Sequence, residues 1–173
     1  MRGPFVCVAA ALALAACSPT LNWREVRPEG SEAQLLLPCR PASATRSIVL
    51  AGQPLRLSML ACDAGDVTWA LAHADVGDPA RVGPVLEALR RAAAGNVGAA
   101  QGDPLPLAVA GATPNPATMR LRLAGRLPDG SAVAEEVAVF AYGSRVYQAS
   151  ALGAQLPAEG TDTFFASLRV GGR

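Results

Sequence analysis

One stretch constrains the fold of this 173-residue chain more than any other. Val82, Val85, Leu86, Leu89 and Ala93 recur at i, i+3, i+4, i+7 and i+11, which gathers them on a single stripe of an α-helix. Glu87, Arg90 and Arg91 fall away from that stripe. Asp78 is a natural N-cap, Pro79 suits the first helical position, and Gly95 is placed to end the run. The spacing therefore predicts a helix over about 79–95. Pro84 has no amide hydrogen, so it should kink the first turn or move the start to Gly83. A helix with one apolar stripe needs a flat apolar surface to cover, and the rest of the chain supplies strands.

Before the helix, Asn22 to Arg27, Ala33 to Leu37, Arg46 to Leu50 and Leu55 to Cys62 read as short strands. In the last of these Leu55, Leu57 and Met59 alternate with Arg56 and Ser58, the period of a half-buried strand. Trp23 reads as a large apolar plug for the core. Val67 to Asp75 puts Trp69, Leu71 and His73 on one face and Ala70, Ala72 and Ala74 on the other. A whole face of alanine implies close packing against a helix. After the helix, Gln101 to Thr118 is a Pro- and Gly-rich loop with room for one short strand at Leu107 to Ala110. It reads first as a solvated connection and otherwise as the mobile or partner-facing segment.

Met119 to Leu127, Ala132 to Ala141 and Arg145 to Ala151 then form a meander, with Pro128-Asp129-Gly130-Ser131 as its first turn. In the first of these strands Leu121, Leu123 and Leu127 point inward and Arg120, Arg122 and Arg126 outward. Arg122 should lie near Glu136 across the ladder. A short C-terminal helix over about 160–168, capped by Thr161 or Asp162, buries Phe164, Phe165 and Leu168. Strands that cluster before and after one long helix, instead of alternating with helices, favour an α+β fold with an antiparallel sheet.

The N-terminus carries a different kind of information. Arg2, an apolar run from Pro4 to Ala13 and the small residues Ala15-Ala16 have the order of a secretory signal peptide. The run is shorter than the roughly 20 residues a spanning helix needs. Leu14-Ala15-Ala16-Cys17 resembles the lipobox of bacterial lipoproteins. That resemblance implies removal of residues 1–16, a lipid on Cys17, a short tether over 17–21 and a single domain over 22–170. Ser18 is not the aspartate that signals inner-membrane retention in similar lipoproteins, so the expected address is the periplasmic side of the outer membrane.

Removing residues 1–16 takes away Arg2 and leaves 14 basic and 14 acidic residues. A neutral domain has no electrostatic footprint for nucleic acid. Every basic residue is Arg, which we read as genome composition. Cys7 leaves with the signal peptide and Cys17 takes the lipid, so Cys39 and Cys62 remain as a pair in an oxidising compartment. Both end apolar strand-like runs that can lie side by side. A disulfide closing that loop would contribute roughly 3 kcal/mol; the alternative is two separate buried thiols.

With that order in place, several landmarks resemble the PsbP-like α/β/α sandwich, named for a photosystem II extrinsic protein. They are Asn22-Trp23-Arg24, Leu36-Leu37-Pro38-Cys39-Arg40-Pro41, Ala72-His73-Ala74-Asp75-Val76-Gly77-Asp78-Pro79, Arg126-Leu127-Pro128-Asp129-Gly130, Arg145-Val146-Tyr147 and Phe164-Phe165-Ala166-Ser167-Leu168-Arg169. Two departures stand out: Cys39 replaces the small residue often found in that turn, and His73 stands where the pattern prefers an aromatic. The resemblance implies a fold and an accessory, non-enzymatic role.

Candidate chemistry is sparse. His73 is the only histidine and has no nearby cysteine to share a metal, so it reads as a half-buried structural residue. Asp63 and Asp66 lie roughly 25 Å from Asp75 and Asp78 at about 3.3 Å per strand residue, so they read as turn and cap residues, not a calcium site. Gly143-Ser144-Arg145 lacks the flanks of a nucleophile elbow. The row Arg120, Arg122, Arg126 could grip an anion; it reads more simply as a solvated face paired with Glu135 or Glu136.

No cofactor, metal or catalytic residue is expected. The expectation is a lipid-anchored envelope protein, not an enzyme. Its domain acts as an accessory module, with the 101–118 loop toward an envelope partner. The alternative is a small-ligand or lipid binder with a pocket between sheet and long helix.

Overall fold

The computed structural model describes residues 21–172. Residues 1–16, expected as a signal peptide, and Cys17 lie outside the described residues. Five strands come first: β1 (Arg24–Val26), β2 (Ala33–Leu37), β3 (Ala42–Leu50), β4 (Gln53–Ala64) and β5 (Val67–Asp75). A 3-10 turn (Pro79–Arg81) leads into α1 (Val82–Asn96). Then come β6 (Gly102–Leu105), β7 (Met119–Arg126), β8 (Ala132–Tyr142), β9 (Arg145–Gly153), α2 (Ala158–Ala166) and β10 (Arg169–Val170). The class is α+β, as expected, and every paired strand is antiparallel to its neighbours.

Seven strands form the main sheet in the order β3-β4-β5-β9-β8-β7-β6. Three more form a small sheet, β1-β2-β10. The alternation in β5 divides the main sheet into its two faces. Trp69 and Leu71 pack with Leu35 and Leu37 of β2 and with Phe164 and Phe165 of α2. On the other face Ala74 meets Val82, Val85, Leu86 and Leu89 of α1, so the alanine face is the helix-bearing one. The sheet is thus covered by α1 on one side and by α2 with the small sheet on the other. Each fully buried Leu or Phe contributes about 1.5–3 kcal/mol by leaving water, so these two layers carry most of the stability. Trp23 is half-buried and meets Trp69 edge-on, with ring centroids 5.7 Å apart.

The helix ends need correcting. Asp78 does cap, but it caps the 3-10 turn: its Oδ1 accepts from the Ala80 amide at 2.9 Å. The α-helix starts at Val82, which leaves Pro84 in the first turn, where its missing N–H breaks no bond. Gly95 does not end the helix. Gly98 does, at φ 64°, with its amide donating to the Gly95 carbonyl at 3.2 Å. That end is pinned to the sheet: the Arg126 amide donates to the Val97 carbonyl at 2.8 Å. A Cβ on Gly125 would stand 1.8 Å from that oxygen, so only glycine fits. The second helix begins at Ala158 with no side-chain cap, and Thr161 lies inside it, donating to the Ala158 carbonyl at 3.0 Å.

Three strands also differ. β3 begins at Ala42, four residues earlier than its apolar part implies. Leu107 to Ala110 is not a strand; the paired segment is β6, where Pro104 is tolerated on the sheet edge. β10 was not expected. The 101–118 segment is tied down along its length: the Val170 amide donates to Ala110 at 2.9 Å and the Thr113 amide to Ala141 at 2.8 Å. Cys39 and Cys62 form a disulfide that ties the exit of β2 to β4. Among the described residues no helix is long and apolar enough to cross a membrane.

Candidate functional site

Two polar regions stand out on the face that carries α2. The first is built on β7 and β8. Their register sets Arg122 opposite Glu136, as the alternation predicts. Arg120 projects from the same face of β7 two residues earlier. α2 then lies over that end of the ladder. Arg120 and Glu136 are therefore buried, and the row is not a solvated strand face. One carboxylate oxygen of Glu136 accepts from Arg120 Nε at 3.1 Å and also from its Nη2. The other accepts from Arg122 Nε at 3.1 Å and from its Nη2. The Arg120 guanidinium lies 4.1 Å from the centre of the Phe165 ring and 3.5 Å from Asp162. Charge and ring together hold α2 to the sheet. Arg126 stays in solvent and donates to the Gly130 carbonyl at 2.8 Å.

On the opposite face of the same strand, Glu135 is buried between Leu123 and Leu152 with no ion partner. Burial pushes its carboxyl up to about 7.

The second region lies where the small sheet leaves β3 and β4 uncovered. A cleft of about 350 Å³ sits elsewhere, beside Pro106, Leu107, Arg120 and Phe165. The one here, of about 310 Å³, is lined by Ser43 and Thr45 from β3, Arg56 and Ser58 from β4, His73 from β5, and the Glu29-Gly30 turn. Thr45 and Ser58 face each other across the ladder, their hydroxyl oxygens 3.1 Å apart.

His73 is more deeply buried than a half-buried structural residue. It is 5% exposed and its Nε2 has no hydrogen-bond partner. Its ring lies 6.1 Å from that of Tyr147. Burial first, and then the Arg145 cation, push its imidazole below the ordinary histidine range, against a smaller opposite pull from Glu32. At neutral pH it is therefore an uncharged donor or acceptor.

Behind it most polar groups are paired, the Arg145 Nε excepted. Arg145 donates to Glu32 at 2.8 Å and to the Gly30 carbonyl at 2.6 Å. The Tyr147 hydroxyl donates to Glu32 at 3.2 Å. Ser144 does not face an imidazole: its hydroxyl donates to the Asp75 carboxylate at 2.8 Å. Asp75 also accepts from the Gly77 amide at 2.8 Å, the main cause of its depressed carboxyl. Asp63 accepts from the Thr68 hydroxyl at 2.6 Å. Asp66 turns the chain with φ 59°. Among the described residues no group of three or more His, Cys, Asp or Glu is arranged to hold a metal ion.

The His73 cleft thus presents donors and acceptors, and among the described residues no base is hydrogen-bonded to a nucleophile in it. Sequence reasoning named His73 and missed the cleft around it, because strand order, not residue spacing, brings β3, β4 and β5 together. No protein-family model, curated protein or solved structure matches the chain.

Proposed function

We propose that the chain is a lipid-anchored envelope protein, acylated on Cys17 after residues 1–16 are removed, and that its domain is a PsbP-like accessory module without catalysis. One observation carries the non-catalytic part. Apart from His73, whose Nε2 has no partner, the polar side chains that the sequence offers for chemistry are held in the fold: Ser144 by Asp75, and Arg120 and Arg122 by the buried Glu136. The anchor rests on the lipobox residues Leu14 to Cys17 and on the Cys39–Cys62 disulfide, which suits an exported chain. The sandwich reading rests on the spacing of its landmarks and is compatible with a sheet covered on both faces. With Ser18 after the lipidated cysteine, the protein sits on the periplasmic side of the outer membrane.

A partner surface through the 101–118 loop has support in the cleft beside Pro106 and Leu107, which opens next to α2. The second reading, a small-ligand or lipid binder, is favoured by a separate cleft of about 370 Å³ between α1 and the β6–β7 edge, lined by Arg90, Ala94, Gln101 and Met119.

The test pairs chemistry with genetics. Mass spectrometry of the N-terminal peptide from native membranes should find diacylglycerol and fatty acid on Cys17, in the outer-membrane fraction. A deletion strain should be restored equally by the wild type, His73→Ala and Ser144→Ala. Loss of restoration by a folded His73→Ala protein would overturn the non-catalytic reading, and an unmodified Cys17 would overturn the anchor.

A further inference from the structure

The two edges of the seven-stranded sheet are finished differently. At one end β6 has four residues and a proline, Pro104, which is how natural sheets blunt an edge. At the other end β3 runs for nine residues without a proline. Its register against β4 is unbroken from Ala42 opposite Ala61 to Leu50 opposite Gln53, so no bulge bends it away. Its first six residues are all exposed.

The hairpin determines which backbone groups face outward. Ala51 and Gly52 form a two-residue turn with φ of 47° and 72°, so the flanking pair Leu50 and Gln53 is hydrogen-bonded, and bonding alternates from there. Residues 42, 44, 46, 48 and 50 direct their N–H and C=O toward β4. Ser43, Thr45, Ser47 and Val49 direct theirs into solvent, a row of donors and acceptors repeating every 7 Å or so, roughly two residues of strand.

Charge says what fits this row. Residues 40–62 contain Arg40, Arg46 and Arg56 and no acidic residue. All three arginines are exposed, and among the described residues none has a carboxylate within ion-pair distance. The edge is therefore open, unbroken and basic on a domain whose charges balance only when these three arginines are counted.

We propose that β3 is the docking edge for an acidic, extended segment of a partner protein, which adds to the sheet as a strand beside it. Main-chain bonds to Ser43, Thr45, Ser47 and Val49 supply affinity, and the three arginines supply preference and steering. A second copy of this chain fits poorly, because it would bring two such hairpins together with no carboxylate between them. This chain's own residues 1–20 fit poorly too, since they contain Arg2 and no acid. The His73 cleft opens beside this edge, on the face shared by the side chains of Ser43 and Thr45, and can receive a side chain of the added strand. The proposal deepens the interaction-module reading and rests on it.

The test uses the full chain in detergent and two fluorescein-labelled octapeptides, one alternating Glu and Val, the other Lys and Val. The Glu peptide should bind at least tenfold more tightly, and its binding should weaken with added salt. Amide exchange should slow at Ser43, Thr45, Ser47 and Val49 when it is bound. Thr45→Pro, which removes an outward N–H and no ladder bond, should weaken binding at least tenfold; Thr45→Val should bind like the wild type. The exchange measurement needs no variant, so a misfolded Thr45→Pro leaves the proposal exposed to refutation. Equal binding of the two peptides, or no slowing at those four amides at saturation, would overturn it. So would sedimentation as a dimer without peptide that becomes a monomer in Thr45→Pro, since the occupant would then be a second copy. If the edge fails while cross-links form from Leu107 in cells, the interaction reading survives and only this site is lost.

Discussion

The β7–β8 end of the sheet and the β3–β4 end carry the same cation in opposite circumstances. In the first, Arg120 and Arg122 close on a carboxylate with no exposure, under a helix. In the second, Arg46 and Arg56 stand in water with nothing opposite. Residue type and strand alternation are alike in both. What differs is the second layer: α2 covers one ladder, whereas at the other Arg56 on the small-sheet face and Arg46 on the α1 face are both left exposed. A covered arginine must find a carboxylate and becomes part of the fold, whereas an uncovered one keeps its charge in solvent.

The strongest way to break that contrast is to remove the answering carboxylate. Glu136→Ala leaves the buried Arg120 cation with only the exposed Asp162 at 3.5 Å, and should destabilise the domain by about 3–5 kcal/mol in urea unfolding. Next comes the disulfide that ties the open end to the rest. Replacing Cys39 and Cys62 together by Ser should lower stability by about 3 kcal/mol, with the earliest loss of amide protection in β3 and β4.

Glu135 sharpens the comparison, since it is one residue from Glu136 and lacks a partner. Its carboxyl is raised from 4.5 to about 7, so the folded chain holds a proton there that the unfolded chain has released. The stabilisation linked to that proton is complete below the unfolded value and is lost as pH rises through about 7. Glu135→Gln should therefore leave stability near pH 4.5 unchanged and raise it at pH 8 by on the order of 2 kcal/mol. His73 runs the other way. Its depressed imidazole resists protonation in the folded state, so its contribution is present above the unfolded value of 6.5 and fades as pH falls below it. As the only histidine, it gives a single proton resonance whose titration midpoint should rise in Arg145→Gln. The smallest effect belongs to the open end. Arg46→Gln with Arg56→Gln should change stability by less than about 0.5 kcal/mol in thermal unfolding, while weakening any acidic peptide.

Much of this molecule was legible in residue order. The apolar stripe of α1, the alanine face of β5 and the pairing of Arg122 with Glu136 all follow from periods of 3.6 and two. Those periods cannot say which face of a strand a distant element will cover, so they place Arg120 in solvent when α2 buries it. Nor can they say which strand lies at an edge. β3 becomes one because β4 pairs with β5 on its other side and β5 with β9, from beyond α1, so the rest of the sheet grows away from β3. Gly98 ended the helix where Gly95 looked equally able, because the close approach of Val97 to Gly125 is a tertiary contact. The burial of His73 was hidden for the same reason, and with it the cleft.

The most direct test of the central claim, that the open edge is the working surface and the covered charges are structural, is site-specific photo-cross-linking in living cells. A benzophenone residue is placed at Thr45 on β3 or at Asp103 on β6. The account predicts an adduct from position 45 whose cross-linked peptide from the partner is rich in Asp and Glu, and none from position 103. No adduct at 45, or one only with further copies of this chain, would contradict it.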